Sequence, residues 1–187
     1  CCLPPAFDYN LCKTANVTKQ PFVLYNANFA VAENAHAALW ICKNVATISS
    51  EVQFVLAGAN PSKSLQNGCD KSSNIKLSPN PSSQEMTELL STAKVSLLVT
   101  FQSTGMKLKL LHTLASGSII IANSAMIEGT GLEHECIIAD TPQAMANAIR
   151  EAMSSNKHKQ SKIPDLYMPE VACQLLSERI LSYHQTK

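Results

Sequence analysis

Residues 95–123 read VSLLVTFQSTGMKLKLLHTLASGSIIIAN. The stretch is an apolar strand from Val95 to Phe101, a turn at Thr104 and Gly105, a helix to about Gly117, and a second apolar strand from Ser118 to Asn123. Neither strand alternates polar with apolar residues. Near-continuous apolar runs belong to strands covered on both faces, as in a parallel sheet. A helix between two such strands is a crossover connection, and crossovers build α/β folds.

The same rhythm extends in both directions. Upstream, FVLYN (Phe22 to Asn26) predicts a strand, and a helix follows from about Glu33, with Ala38, Ile41, Val45 and Ile48 on one face. VQFVLAG (Val52 to Gly58) predicts a second strand, SKSLQNG after Pro61 a short helix, and NIKLS (Asn74 to Ser78) a third strand. Ser82 and Glu85 have the spacing of a capping box, opening a helix with Met86, Leu89, Leu90 and Ala93 on one face. Downstream, CIIAD (Cys136 to Asp140) predicts a sixth strand, and Thr141 with Pro142 starts another helix. Six strands alternating with helices predict a doubly wound, mostly parallel Rossmann-like α/β sheet. The expected organisation is an arm over residues 1–20, the α/β domain over 21–155, and a polar connection with a C-terminal helix over 156–187. That helix opens at Pro169 and aligns Ala172, Leu176, Ile180 and Tyr183.

Composition narrows the function. The chain has 187 residues, 45% hydrophobic and 16% charged, enough apolar material for one core. A formal net charge of +1 argues against a nucleic-acid binder. No apolar run reaches the roughly 20 residues of a membrane helix, so association with a membrane is expected to be peripheral at most. The seven cysteines are odd in number and form no C-x-x-C pair. That points to a reducing, cytoplasmic setting, including the inner face of the membrane, without structural zinc. The opening CCLPPAFDYN has no basic start and apolar block of a signal peptide, and reads as the interior of a longer chain.

Ligands in doubly wound folds bind beyond the C-terminal ends of the strands. After the fourth strand, Thr104 and Gly105 form a turn, Lys107 and Lys109 add positive charge, and a helix start offers free N–H groups. This combination suits a phosphate, although an ordinary solvated helix face also carries two lysines. After the first strand come Asn26 and Asn28, and after the second Gly58, Asn60-Pro61 and Lys63. Asn80 follows the third. After the fifth strand, Glu128 precedes Gly129, Thr130 and Gly131, and a carboxylate is a bidentate acceptor for sugar or ribose hydroxyls. His112 and Trp40 read more naturally as helix and core residues. No nucleophile–base set, carboxylate pair or metal-ligand spacing stands out.

Together these segments resemble the C-terminal domain of retaining group 1 (family 4) glycosyltransferases over about Tyr25 to Met153. The resemblance is carried by TGMKLKLLHTLASGSIIIAN, by the later EGTGLE, and by LAGANPS and SSQEMTELLSTAKVSLLVT in the same order. Gly105, Met106, Lys107, Lys109 and Leu111 match the G-I-K-x-K-x-L-E pattern of a subgroup. The resemblance implies a donor nucleotide-sugar of UDP or GDP type as co-substrate, no resident cofactor or metal, and a separate N-terminal acceptor domain as partner. It implies transfer of a hexosyl group to a glycan or lipid-linked acceptor, with the isolated domain inactive alone. It assigns Thr104, Gly105, Lys107, Lys109, Asn28 and Lys63 to the donor phosphates, His112, Glu128, Gly129 and Thr130 to ribose or sugar, and Asn80 to the base.

The pattern departs from the family at two places. Relatives carry two glutamates eight apart across the turn, where Thr104 and His112 stand, and a glycine where Ala27 stands. A catalytically degenerate binding or interaction module, and a nucleotide-sugar epimerase of similar build, are the alternatives. The absence of G-x-G-x-x-G after the first strand speaks against a dinucleotide oxidoreductase.

Overall fold

The computed structural model describes residues 17–102 and 108–155 and four later positions, Val171, Cys173, Gln174 and Ser177, which are helical. Most of the expected arm lies outside the described residues, as do Thr104, Gly105 and Lys107 and the helix-face positions Ala172, Leu176, Ile180 and Tyr183.

Six strands form one sheet: β1 (Gln20–Asn26), β2 (Gln53–Gly58), β3 (Ile75–Pro79), β4 (Ala93–Leu98), β5 (Ile119–Ala122) and β6 (Ile137–Ile138). The order is β3-β2-β1-β4-β5-β6, and every neighbouring pair is parallel. The chain winds outward from β1 to one edge, crosses back, and winds from β4 to the other. The order reverses between β1 and β4, where Val23 lies opposite Val95 and Leu24 opposite Ser96.

The helices divide between the two faces. They are α1 (Ala32–Trp40, continued by one π-helical turn, Ile41–Ala46), α2 (Lys63–Cys69), α3 (Ser83–Thr92), α4 (Leu108–Ser116), α5 (Ser124–Ile127) and α6 (Pro142–Ser154). On one face Val23, Tyr25, Phe54, Leu56, Val95 and Leu97 pack with Ala38, Ile41 and Val45 of the first helix, Leu65 of α2, and Met145 and Ile149 of α6. On the other, Phe22, Leu24 and Ala57 meet Met86, Leu89 and Leu90 of α3. Leu98, Ile120 and Ala122 meet Leu110, Leu111 and Leu114 of α4 on that side. The inner strands β1, β2, β4 and β5 thus feed alternate side chains to both sides of the sheet, which explains why they do not read as half polar, whereas the edge strand β3 alternates Ile75 and Leu77 with polar Lys76 and Ser78.

The capping box forms as its spacing predicts: Ser82 Oγ accepts from Glu85 N at 3.2 Å and Glu85 Oε2 accepts from Ser82 N at 2.7 Å. Thr141 caps α6 with Pro142 in its first turn. Three expectations shift. Ala93 caps α3 and opens β4 instead of continuing the helix face, because its backbone turns extended at ψ 130°. Ile48 lies past the helical turn and is exposed, its carbonyl met by the Arg150 guanidinium. The strand expected to reach Phe101 ends at Leu98, and Phe101 is solvent-facing.

Polar groups close the joints of the core. Buried Asn74 donates its amide to the carbonyls of Ala46, Ser49 and Val52 at 3.0, 3.1 and 3.1 Å, tying the entry to β2 onto the start of β3. Ahead of β1, the Lys19 ammonium donates to Ser91 O and Ser116 O, both at 2.7 Å, at the C-terminal ends of α3 and α4. A cation suits helix C-termini, although burial lowers the Lys19 pKa to about 8.

The loops after β1 and β2 touch at one glycine. A Cβ on Gly58 would stand 1.7 Å from Ala27 O and 3.1 Å from the Phe29 ring. Gly58→Ala is therefore expected to lower stability by about 3 kcal/mol, through backbone displacement, read as a lower urea midpoint with unchanged slope. An unchanged midpoint would mean that the two loops separate freely.

Candidate functional site

The reversal of strand order leaves a crevice above the C-terminal ends of β1 and β4. Its β1 side is the turn Ala27-Asn28-Phe29. Ala27 N donates to Ala57 O at 3.0 Å and Phe29 N to Ala59 O at 2.8 Å, so the turn is braced on the loop after β2. Its β4 side is Thr100, clamped to β5: Thr100 N donates to Asn123 Oδ1 at 3.2 Å, and Asn123 Nδ2 donates to Thr100 O at 2.6 Å. A carboxamide presents one acceptor and one donor edge, so Asn123 satisfies both backbone groups of one residue.

Lys109, in the first turn of α4, reaches back to the crevice. Its Nζ lies 4.9 Å from the centroid of the Tyr25 ring, within cation–π range. Tyr25 is buried and donates its hydroxyl to Asn34 O at 3.2 Å. Burial lowers the Lys109 pKa to about 8, with Glu33 opposing that shift. Glu33, in the first turn of α1, extends its carboxylate across the crevice. Oε1 accepts the Thr100 hydroxyl and, at 3.1 Å, the backbone N–H of Gln102. One turn and two turns further along α1, His36 and Trp40 meet the Phe101 ring at 5.0 and 5.6 Å between centroids. The α1 stripe Glu33–His36–Trp40 thereby holds the segment that leaves β4.

The expected site residues distribute unevenly. Lys109 stands at the crevice, and Asn28 in its β1 turn, exposed, with Oδ1 accepting Ala30 N at 3.0 Å. His112, one turn beyond Lys109, faces solvent, with its imidazolium disfavoured by partial burial. Lys63 is exposed in the first turn of α2. Asn80, exposed beyond β3, has a left-handed φ of 49°; its N–H donates to Gly58 O and its Oδ1 accepts Asn60 N, both at 2.8 Å. Those two groups shape the loop, leaving the Asn80 carbonyl and amide nitrogen for other contacts. Thr104, Gly105 and Lys107 belong to residues outside the described set.

Glu128, Gly129 and Thr130 lie past α5. Gly129 and Gly131 take φ of 73° and 68°, left-handed values that side chains resist. Thr130 turns its hydroxyl onto Ile127 O at 2.7 Å. Exposed Glu128 lines a cleft of about 470 Å³ with Ser124, Ile127, Glu133 and Ile138. Nearby, Asp140 accepts from Ser124 N and Oγ, both at 2.7 Å, which holds its carboxyl below the usual range.

Sequence reasoning overlooked Glu33, Thr100 and Asn123. Asn123 and Thr100 were visible as polar residues closing two apolar strands. Glu33 was visible on the helix stripe it shares with His36 and Trp40, but nothing in the sequence pairs it with the segment after β4.

The family comparison agrees with this architecture. The model of the family described as "Glycosyl transferases group 1" matches residues 20–155, so the chain belongs to the group 1 glycosyl transferases. No curated protein matches the sequence. Among solved structures, the chain is similar to AviGT4, a glycosyltransferase involved in avilamycin A biosynthesis, at 15% identity and a TM-score of 0.61, over 98% of this chain and 57% of that one. It is similar to HepE of Anabaena, solved with UDP and glucose, at 12% identity and a TM-score of 0.59, over 97% and 56%. It is also similar to the N-terminal domain of Candida albicans trehalose-6-phosphate phosphatase, at 15% identity and a TM-score of 0.66, over 92% and 43%. At these identities the likeness establishes the fold. The chain spans about half the length of these proteins. Among the described residues, no helix is long and apolar enough to cross a membrane.

A half-buried lysine whose pKa is lowered by burial leaves a direct signature. The Lys109 ammonium is expected to titrate close to pH 8 when followed by NMR of its side-chain carbon, against about 10.5 for an ordinary lysine. Its unfolded form binds protons more tightly, so Lys109 adds stability as pH rises from about 8 to 10.5. Lys109→Met is expected to remove that increment without lowering the melting temperature at pH 7. A titration above pH 10 would place the ammonium in water.

Proposed function

We propose that this chain is the donor-nucleotide-binding half of a retaining glycosyltransferase. The single observation that carries the reading is a cation at the strand-order reversal of a group 1 glycosyl transferase domain: Lys109, mostly withdrawn from water, above the ends of β1 and β4. A buried ammonium is a costly feature, and a leaving diphosphate is the group that would use it. In glycosyl transfer the bond from the anomeric carbon to the diphosphate oxygen breaks and negative charge grows on that oxygen. A fixed cation in a partly dry crevice stabilises that charge. Lys107, two residues earlier, and Gly105 would contribute from the same segment, with Thr104 beside them.

Further contacts extend from the strand ends. Asn28 and Lys63 would meet the phosphates, and the loop at Asn80 the nucleobase. His112, Glu128, Gly129 and Thr130 would meet ribose or sugar. The donor is a UDP- or GDP-sugar, with no resident metal, and a hexosyl group passes to a glycan or lipid-linked acceptor. The acceptor is held by a second, N-terminal domain of the whole protein, which would work in the cytoplasm, at or near the inner face of the membrane. Residues 1–20 would serve as the arm between the two domains, and residues 156–187 as the segment crossing back.

A second reading, a module that binds sugar nucleotides or partners without transfer, is favoured by Thr104 and His112 standing where relatives carry glutamates.

Calorimetry with UDP, GDP and a nucleoside separates the readings. One diphosphate is expected to bind, and Lys109→Ala is expected to weaken it about tenfold or more, the usual scale for one charge-assisted hydrogen bond. Because Lys109 loses its proton above about pH 8, affinity falls between pH 7 and 9, and Lys109→Ala flattens that slope. A folded chain that binds no diphosphate would favour the second reading. Binding without transfer by the whole protein would favour the second.

A further inference from the structure

Several features outside the proposed contacts could act. Cys42 and Cys69 are buried beside one another, with Cys42 at the wall of a cleft of about 700 Å³ that it shares with Lys43, Ser64 and Lys71, and nothing indicates what would enter there. A cleft of about 520 Å³ runs along the uncovered side of β2 and β3, lined by Gln53, Val55, Lys76, Glu85 and Leu89, with nothing to indicate what fills it. The strongest feature is the Glu33 carboxylate.

We infer that Glu33 is an internal counter-anion in the crevice, which occupies an anion subsite and sets how tightly the domain holds a diphosphate. The inference rests on the donor reading and adds the residue that tunes it. Three observations meet at Glu33. Its Oε1 takes a hydroxyl from Thr100 and a backbone N–H from Gln102, the types of donor a phosphate oxygen takes. The backbone of Thr100 is held independently of Glu33, clamped to the end of β5 through Asn123, and its hydroxyl and the Gln102 backbone also lie within hydrogen-bond reach of each other. Lys109 is near enough for the Glu33 charge to oppose the lowering of its pKa by burial, and the two do not close to a salt bridge of 4 Å or less, so neither is spent on a direct pair.

Charge then decides the affinity. The described crevice holds one carboxylate and one mostly buried ammonium, with no net charge left for an incoming anion. A diphosphate must either displace Glu33 from Thr100 and Gln102 or lie beside it against like-charge repulsion. Both weaken binding and leave a neutral nucleoside unaffected. The first-turn position of Glu33 on α1 also sets its charge against the positive end of that helix, which would otherwise be available to the ligand.

The test is calorimetric titration of the chain, as wild type, Glu33→Gln and Glu33→Ala, with UDP, GDP and the corresponding nucleosides. Circular dichroism checks that each variant is folded, and Glu33→Ala serves if Glu33→Gln is not. The expected result is diphosphate binding tightened by about tenfold or more in both variants, with nucleoside binding unchanged; like charges set together at a binding surface cost at least that much. Equal or weaker diphosphate binding in the variants, with clear binding by wild type, overturns the inference and leaves the donor reading standing. Equal tightening for nucleoside and diphosphate also overturns it, since the effect would then be steric. Absence of any nucleotide binding in folded wild type and variants removes the donor reading and this inference together.

Discussion

The parallel pairing of β1 with both β2 and β4 is the constraint on which the rest depends. Among the described strands, β1 alone is the one from which the chain proceeds to one side and to which it later returns on the other. The connection after β1 therefore goes to one face of the sheet and the connection after β4 to the other. The two segments part above the sheet, and a crevice is the geometric remainder. The buried residues of β1 (Val23 and Tyr25 toward one layer, Phe22 and Leu24 toward the other) make this arrangement favourable, since each layer supplies its own apolar cover.

The interior of the crevice is a balance between dehydration and charge. Lys109 gives up most of its hydration and regains part of it from the Tyr25 ring and the field of Glu33. Glu33 in turn closes the hydrogen bonds of the segment leaving β4. These groups couple α1, β4 and α4, three elements that no backbone ladder joins directly above the sheet. The crevice is thus built as a small polar network on rigid apolar supports, with Asn123 fixing the most buried corner.

The fold was legible because it rests on period and punctuation. Five apolar runs of strand length, the alternating NIKLS, the Ser82–Glu85 spacing and the Thr141-Pro142 start each have a local cause, and local causes survive in sequence. Boundaries were less legible where a backbone turn decides them, as at Ala93, or where a strand ends in spite of apolar residues beyond it, as at Val99 to Phe101. The site was legible only in part. Asn28 stands out because it follows the C-terminal end of β1, and Lys109 because it opens the helix after β4, both on the side where a doubly wound sheet binds its ligands. Glu33 escaped because its role comes from Thr100, sixty-seven residues away, and such a contact has no trace in spacing. Asn80 shows the opposite case: it is conspicuous as a strand-end asparagine, yet two of its polar groups are engaged in shaping the loop.

Lys19 has a counterpart significance at the far end of the domain. One ammonium rests against the terminal carbonyls of α3 and α4, so the negative poles of both helices are damped on the side away from the crevice. Their positive poles face the other way and carry no such partner from Lys19. At its other end α3 carries the Glu85 carboxylate of its capping box, so each pole of that helix meets a side chain of complementary charge.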